Sequence, residues 1–242
     1  MAEELPPLNL ETWKPKTSLG LAVKNKELTE IDSVLESGQT ILEMSIVEAL
    51  LPLEADFLLI GQAKGKFGGG QRRMFKSTQK KTMEGNKAKF STMAVIGDRN
   101  GHIGLGLGGS KETVPAREKA LRQAKLSIFK IRRGCGSWQC NCKTAHSIPF
   151  SVTGKCGSVI IELMPAPKGK GLCVEKECAK ILALAGVRDV WSKSFGQTKN
   201  KINMIKACEA ALRQLSVVKL SESDMETLAV VEGGKKKKEK SE

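Results

Sequence analysis

The chain has 242 residues, of which 40% are apolar and only 4% aromatic, with no tyrosine. Forty basic residues against 26 acidic ones give a net charge of +14, which points to a polyanionic partner. That composition allows one or two domains with real cores and argues against an extended aromatic platform for single strands. No apolar run is long enough to cross a bilayer, and the first residues show no basic and apolar blocks of a signal peptide; a cytoplasmic setting is expected from the cysteine usage. Seven cysteines are too sparse for a disulfide scaffold and fit reduced or metal-bound thiols.

Charge is segregated along the chain. Residues 1–60 hold four lysines and eleven acids, a net of −7, so the remainder carries +21. Residues 1–25, punctuated by Pro and Lys, read as an extension that wraps a partner. Residues 27–36 and 41–51 read as short helices with apolar stripes at Ile31, Val34 and Leu35 and at Ile41, Met44, Val47 and Leu51. Strands are expected at 57–60, 75–82 and 88–96, and a turn at 98–101. In 102–108, Ile103, Leu105 and Leu107 alternate with His102, Gly104, Gly106 and Gly108; a glycine face lets another backbone, or RNA, approach closely. A helix over 113–130 with Val114, Leu121, Ala124 and Ile128 inward closes this unit. A Cys-rich linker follows, then a hairpin over 148–163. The loop 165–171 leads to a helix with Val174, Cys178, Ile181 and Leu182 inward. A strand at 187–191 and a helix over 200–215 complete a β–β–α–β–α order. The end reads as a basic disordered tail. The expected partition is 1–53 extension, 54–131 first domain, 132–145 linker, 146–218 second domain and 219–242 tail.

Several motifs carry chemistry. Gly104, Gly106 and Gly109 satisfy G-x-G-x-x-G, but inside a strand and with no acid about 20 residues on, so a dinucleotide site is rejected. No P-loop occurs, and the only histidines, His102 and His146, form no convincing catalytic set; an enzyme is not expected. Lys64, Lys66, Arg72, Arg73, Lys76, Lys80, Lys81, Lys87 and Lys89 face a single acid, Glu84, across 61–91. With Gly104 and Gly106, and with Lys111, Arg117, Arg122, Arg132 and Arg133 from the following helix region, they form the candidate RNA-binding set. A basic sheet with a basic helix suits double-stranded RNA, read by shape through phosphates and hydroxyls. Lys168 and Lys170, in Lys-Gly-Lys-Gly before a helix, suggest a second anion site made of amides and cations. Cys135, Cys140, Cys142 and His146 offer four ligands within twelve residues. Two readings stay open there: a structural zinc site, or three reduced thiols and a surface histidine. Cys156, Cys173, Cys178 and Cys208 read as packing residues.

The segments FSTMAVIGDRNGHIGLG (90–106), KETVPAREKA (111–120), HSIPFSVTGKCGSV (146–159), MPAPKGKGL (164–172) and LAGVRDVWSKSFGQT (184–198) resemble the S-five family of small-subunit ribosomal proteins. RGCGSWQCNC (133–142) and ILEMSIVEALLP (41–52) resemble its archaeal branch, related to the eukaryotic S-two proteins. The resemblance implies an α+β fold of two domains. The first is a double-stranded-RNA-binding-like sheet plus helix. The second is a small α/β sandwich with a left-handed βαβ crossover, a fold shared with some ATP-binding enzymes. Fold sharing does not import an activity, and Leu172, Cys173 and Val174 stand where a kinase-like loop would want serines. The family further implies binding to small-subunit rRNA, contacts with the S-four and S-eight family proteins, a place near the mRNA entrance channel and a link to translational accuracy. No cofactor is required. The loop matching the bacterial drug-associated loop, 82–90, differs enough that drug response does not carry over. The competing function is a free double-stranded-RNA-binding regulator with a zinc-bound linker; a nucleotide-binding enzyme is a weaker rival.

Overall fold

The structure, a computed structural model, describes residues 3–4, 13–63, 65 and 70–234. It contains two compact units. Unit 1 gathers residues up to 97 with 104–128, and unit 2 gathers 98–103 with the residues from 129 on. Among the described residues, no helix is long and apolar enough to cross a membrane.

Unit 1 runs β1 (Glu3–Glu4), α1 (Ser18–Lys24), α2 (Ile31–Glu36), α3 (Met44–Leu50), β2 (Glu54–Leu58), β3 (Lys76–Thr82), β4 (Gly85–Gly97), β5 (His102–Ser110) and α4 (Thr113–Leu126). The sheet order is β1-β2-β4-β5, and β3 also pairs with β4. The 13-residue β4 is long enough to pair with β3 over its first half and β2 over its second. The strand expectations hold to within a few residues. The reading of 1–25 as a wrapping extension does not hold where it is described. Thr17 caps α1, its hydroxyl accepting from the Gly20 N–H, and Trp13, Leu19 and Val23 are buried in the chain's own core. They join Ile31, Val34, Ile46, Val47, Ala94 and Ile96, so this segment supplies a large part of the apolar burial that holds unit 1. Glu43 fastens it, accepting from the backbone N–H of Lys16 and Thr17 and from the Trp13 indole.

The glycines of β5 face α4. A Cβ on Gly104 would lie 2.3 Å from the Ala124 carbonyl oxygen, on Gly106 2.2 Å from that of Ala120, and on Gly108 2.2 Å from that of Ala116. Ala116, Ala120 and Ala124 are fully buried and recur every four residues, forming a stripe that lies on the glycine face. Val114, expected inward, is 61% exposed because the stripe, not Val114, faces the sheet.

Unit 2 runs β6 (Phe129–Lys130), β7 (Arg132–Arg133), β8 (Val152–Cys156), β9 (Val159–Pro165), β10 (Leu172–Cys173), α5 (Lys176–Leu184), β11 (Val190–Phe195), α6 (Lys201–Val217), α7 (Glu222–Thr227) and β12 (Val231–Glu232). The main sheet has the order β10-β11-β9-β8, with β10 parallel to β11 and the other pairs antiparallel. Ile205, Cys208, Leu212 and Leu215 place the apolar face of α6 inward. Gly154 repeats the unit 1 device, since its Cβ would lie 2.0 Å from the Ala207 carbonyl oxygen of α6. Cys178 and Cys208 are buried as expected, whereas Cys173 is exposed. The expected disordered tail begins too early at 219. Ser221 caps α7, Ala229 and Val230 are buried, and β12 pairs with β7. Residues 235–242 of that tail lie outside the described residues.

The turn at 98–101 is held by Asp98. Its carboxylate accepts from the N–H groups of Asn100 (2.7 Å) and His102 (3.1 Å) and lies 2.6 Å from the His102 ring. Burial acts to raise the Asp98 carboxyl, but the His102 ring and these N–H groups outweigh it and hold it below the usual aspartate range. A lowered folded-state pKa gives stability that is complete above the unfolded pKa, near 4, and is lost as pH falls through the folded value. Urea midpoints measured from pH 6 downwards should therefore drop below about pH 4, and Asp98→Asn should flatten that acid limb. Identical acid limbs for both proteins would contradict this role for Asp98.

Candidate nucleic-acid interface and metal centre

The β3–β4 hairpin is the densest cationic feature of unit 1. Its register sets Lys80 opposite Lys87, Thr78 opposite Lys89 and Lys76 opposite Ser91. Directly opposed and alternate residues share a sheet face, so Lys76, Lys80, Lys87 and Lys89 present one exposed cationic face. Lys80 and Lys87 form a cross-strand like-charge pair, which destabilises a hairpin unless an anion intervenes. Glu84, 2.6 Å from the Lys87 ammonium, offsets one of these charges. Beside this face lies a cavity of about 680 Å³ lined by Lys80, Lys87, Lys89, Lys111 and Lys119, with Glu112 as its one acid. Lys119 is absent from the predicted set. Its signal is a spacing of four, since Lys111, Pro115 and Lys119 all line the cavity.

The other predicted residues scatter. Lys81 pairs with Asn86 on the opposite face of the hairpin. Arg72 turns its guanidinium to the Gly61 carbonyl, while Arg73 and Arg122 are exposed. Arg117 lies over the rings of Phe57 and Phe75, at 5.5 and 5.0 Å from their centroids, so part of its charge is taken up in packing. Lys64 and Lys66 lie outside the described residues. Gly104 and Gly106 are not RNA contacts, because the α4 backbone occupies the space in front of them. Arg132 is also structural, pairing with Glu232 and donating to the Val218 carbonyl. Arg133 donates to the carbonyls of Arg99 and Asn100.

The amides of the 168–171 loop are likewise committed. Gly169 and Gly171 donate their N–H groups to Asp189 Oδ1, at 3.0 and 2.8 Å. The amides at the start of α5 are taken by Glu175, whose carboxylate accepts from Glu177 and Cys178. The loop is therefore no ready-made anion nest, although the Lys168 and Lys170 side chains remain exposed.

Residues 135–146 bring their four candidate ligands together. The ligand atoms of Cys135, Cys140, Cys142 and His146 all lie within 4.8 Å of one another. Cys135 and Cys142 Sγ are 3.6 Å apart, and Cys140 Sγ is 3.7 Å from His146 Nε2. Tetrahedral zinc with bonds of about 2.3 Å needs ligand separations near 3.7 Å, so two edges of the tetrahedron already have zinc dimensions. His146 Nδ1 lies 2.8 Å from Asp189 Oδ2, which leaves Nε2 as the atom directed to a metal. Burial and the neighbouring Cys142 push the Cys135 thiol up to about 11. Burial acts to raise Cys142 too, but hydrogen bonds from Thr144 and the neighbouring thiols bring it down to about 6. Thiolate character thus resides on Cys142. Trp138, within the same segment, is 88% exposed and does not bury the cluster. Cys135 is covered by backbone, its N–H donating to the Leu228 carbonyl.

The class defined by the cationic hairpin, the lysine-lined cavity and the paired α/β units is an RNA-binding protein. Family models sharpen this. "Ribosomal protein S5, N-terminal domain" matches residues 74–132, and "Ribosomal protein S5, C-terminal domain" matches 154–224. The chain is 48% identical over 214 residues to the small ribosomal subunit protein uS5 of Nanoarchaeum equitans, covering 88% of this chain and 92% of that one. It is 43% identical over 226 residues to the uS5 protein of Methanocaldococcus jannaschii, covering 93% and 97%. The uS5 protein of Methanosphaera stadtmanae is 44% identical over 225 residues, covering 93% and 92%. The chain belongs to the ribosomal protein S5 family.

Proposed function

We propose that the chain is a structural, non-enzymatic constituent of the small ribosomal subunit, working in the cytoplasm. In this reading unit 1 acts as a double-stranded-RNA-binding-like domain. It lays the Lys76–Lys80–Lys87–Lys89 face and the start of α4 along phosphates of an rRNA helix. The carrying observation is the hairpin register that puts four lysines on one face, beside a cavity lined by Lys111 and Lys119. The names of the relatives support the subunit. In unit 2, β10–α5–β11 joins two parallel strands through a helix; in this reading that crossover takes the left hand the family implies. Proteins of the S-four and S-eight families are its neighbours near the mRNA entrance, and through them it supports translational accuracy. Cys135, Cys140, Cys142 and His146 hold one structural zinc ion, which ties the segment joining the two α/β sheets.

The test is salt dependence. Each phosphate contact contributes roughly 0.9 to the slope of log affinity against log salt. A Lys80→Ala/Lys87→Ala/Lys89→Ala variant should bind small-subunit rRNA with a slope shallower by about two to three units. An unchanged slope would remove these lysines from the RNA interface.

A further inference from the structure

Two of the four candidate zinc ligands are also placed to react with each other. Cys135 and Cys142 Sγ are 3.6 Å apart, in sulfur–sulfur contact. A disulfide needs the sulfurs at about 2.05 Å, so they must close by roughly 1.5 Å, which side-chain rotation and a small loop adjustment can supply. Cys140 has a different neighbour. Its Sγ lies 3.7 Å from His146 Nε2, and a bond to Cys142 would close a ring around Asn141 alone.

The pair is asymmetric in access. Cys135 is buried, and its N–H donates to the Leu228 carbonyl. Cys142 is half-buried between the exposed Asn141 and Lys143, and its sulfur accepts from the Thr144 hydroxyl at 3.1 Å. A small oxidant therefore meets Cys142 first, with Cys135 behind it as the resolving thiol. The remaining cysteines are placed differently. Cys178 and Cys208 are fully buried, out of reach of an oxidant in solvent, and the exposed Cys173 turns its sulfur to the Lys170 carbonyl.

We infer that Cys135 and Cys142 are an oxidant-modified pair, joined by a hydroperoxide into a disulfide that expels the zinc ion. The inference rests on the zinc reading above for the ion, and on the sulfur positions alone for the bond. With hydrogen peroxide as the oxidant, Cys142 Sγ attacks one peroxide oxygen and the O–O bond breaks. Cys142 becomes a sulfenic acid, and the other oxygen leaves as water. Cys135 Sγ then attacks Cys142 Sγ, the S–O bond breaks, the S–S bond forms and the second oxygen leaves as water. Two sulfurs lose one electron each and the peroxide gains both; where the thiolates held zinc, the two protons come from solvent. Cys140 and His146 are left as ligands, too few for a four-coordinate structural site, so the ion departs as the aquated dication. An added dithiol returns both thiols by exchange.

The experiment treats the reduced full chain with hydrogen peroxide and follows zinc release with a chromogenic chelator. Arg133 and Lys143 flank the three cysteines, so trypsin frees them in one denatured peptide, 134–143. Free thiols are blocked with N-ethylmaleimide, the disulfide is reduced and labelled with iodoacetamide, and fragment ions place each label. Cys140 should carry the first label, and Cys135 and Cys142 the second, with one zinc lost per disulfide formed. Dithiothreitol and zinc should restore the starting state. Cys140→Ser should still form the bond, whereas Cys135→Ser should carry Cys142 on to a sulfinic acid that dithiothreitol does not reverse. A Cys140–Cys142 bond in the parent, or oxidation of the buried Cys178 and Cys208 at the same rate, would overturn the proposal. Zinc retained on a chain bearing the Cys135–Cys142 disulfide would overturn the expulsion. A chain purified without zinc would remove the zinc reading, and the Cys135–Cys142 bond must then still form; its absence overturns the pair.

Discussion

Gly106→Val should leave unit 1 unable to form its native sheet–helix contact. A Cβ at Gly106 would sit 2.2 Å from the Ala120 carbonyl oxygen and 2.3 Å from the Ala124 backbone nitrogen. Both are helix backbone, so no rotamer change relieves the clash, and the valine methyls add to it. Moving α4 outward would also lift Ala116, Ala120 and Ala124 off the sheet and strain the part-buried Lys125–Glu48 pair that ties α4 to α3. Overpacking a core costs about 1–3 kcal/mol where side chains can adjust, and a backbone clash belongs at or beyond the upper end. Against a domain stability of about 5–15 kcal/mol that is a large fraction. Gly109→Ala is the control. Its Cβ would meet the Lys89 side chain, with Cε at 3.1 Å, and the Ser91 hydroxyl at an ordinary contact distance of 3.7 Å; a flexible surface lysine can move aside. Denaturant midpoints should show a shift of at least about 3 kcal/mol for Gly106→Val and within about 0.5 kcal/mol for Gly109→Ala. Equal midpoints for Gly106→Val and the parent would mean that α4 does not lie on the glycine face.

The second large effect concerns the metal segment. The purified chain should carry one zinc ion, and a Cys140→Ser/Cys142→Ser variant none. Zinc binding supplies on the order of 10 kcal/mol of ordering free energy in zinc-finger peptides. Here zinc would act on a stretch of glycine, serine and asparagine in which Trp138 and Lys143 are exposed. Lys143 also holds a left-handed backbone conformation, with φ 47°, which a non-glycine residue keeps only when its surroundings enforce it. Chelation, or the double variant, should therefore open the chain to trypsin at Lys143, while the zinc-bound protein resists cleavage there. A metal-free parent that resists trypsin equally would leave these residues as reduced thiols in a self-sufficient loop.

What could be read from the sequence was set by the range of the interactions. The strand expectations between 75 and 108, and the helix over 200–215, rest on short periods and lie close to what forms. The cysteine–histidine set was equally legible, since its spacing lies within twelve residues. The glycine face was recognised as a place of close approach, but its occupant was not. The alanines at 116, 120 and 124, a stripe at a spacing of four, carried that information. Helix α1 had a readable cap in Thr17 and apolar residues at 19 and 23, four apart, but the prolines and lysines around it masked the signal. Long-range partners had no local mark. Asp189 meets His146 across 43 residues, Arg132 meets Glu232 across 100, and these contacts decide that the 168–171 amides and Arg132 are structural. Within the basic run, only cross-strand register separates Lys76, Lys80, Lys87 and Lys89 from Lys81.

If this S5-family chain is held in the small ribosomal subunit by its basic faces, it should leave the subunit only as those charges are screened. The most direct measurement is sedimentation of cell extract from the source organism, or of reconstituted particles, through a high-salt gradient with the chain followed by immunoblot. The chain should stay with the small-subunit peak, and the Lys80→Ala/Lys87→Ala/Lys89→Ala variant should move to lighter fractions at lower salt than the parent. A parent chain that leaves the subunit at moderate salt and sediments alone or with other RNAs would contradict it, and would favour a free double-stranded-RNA-binding regulator.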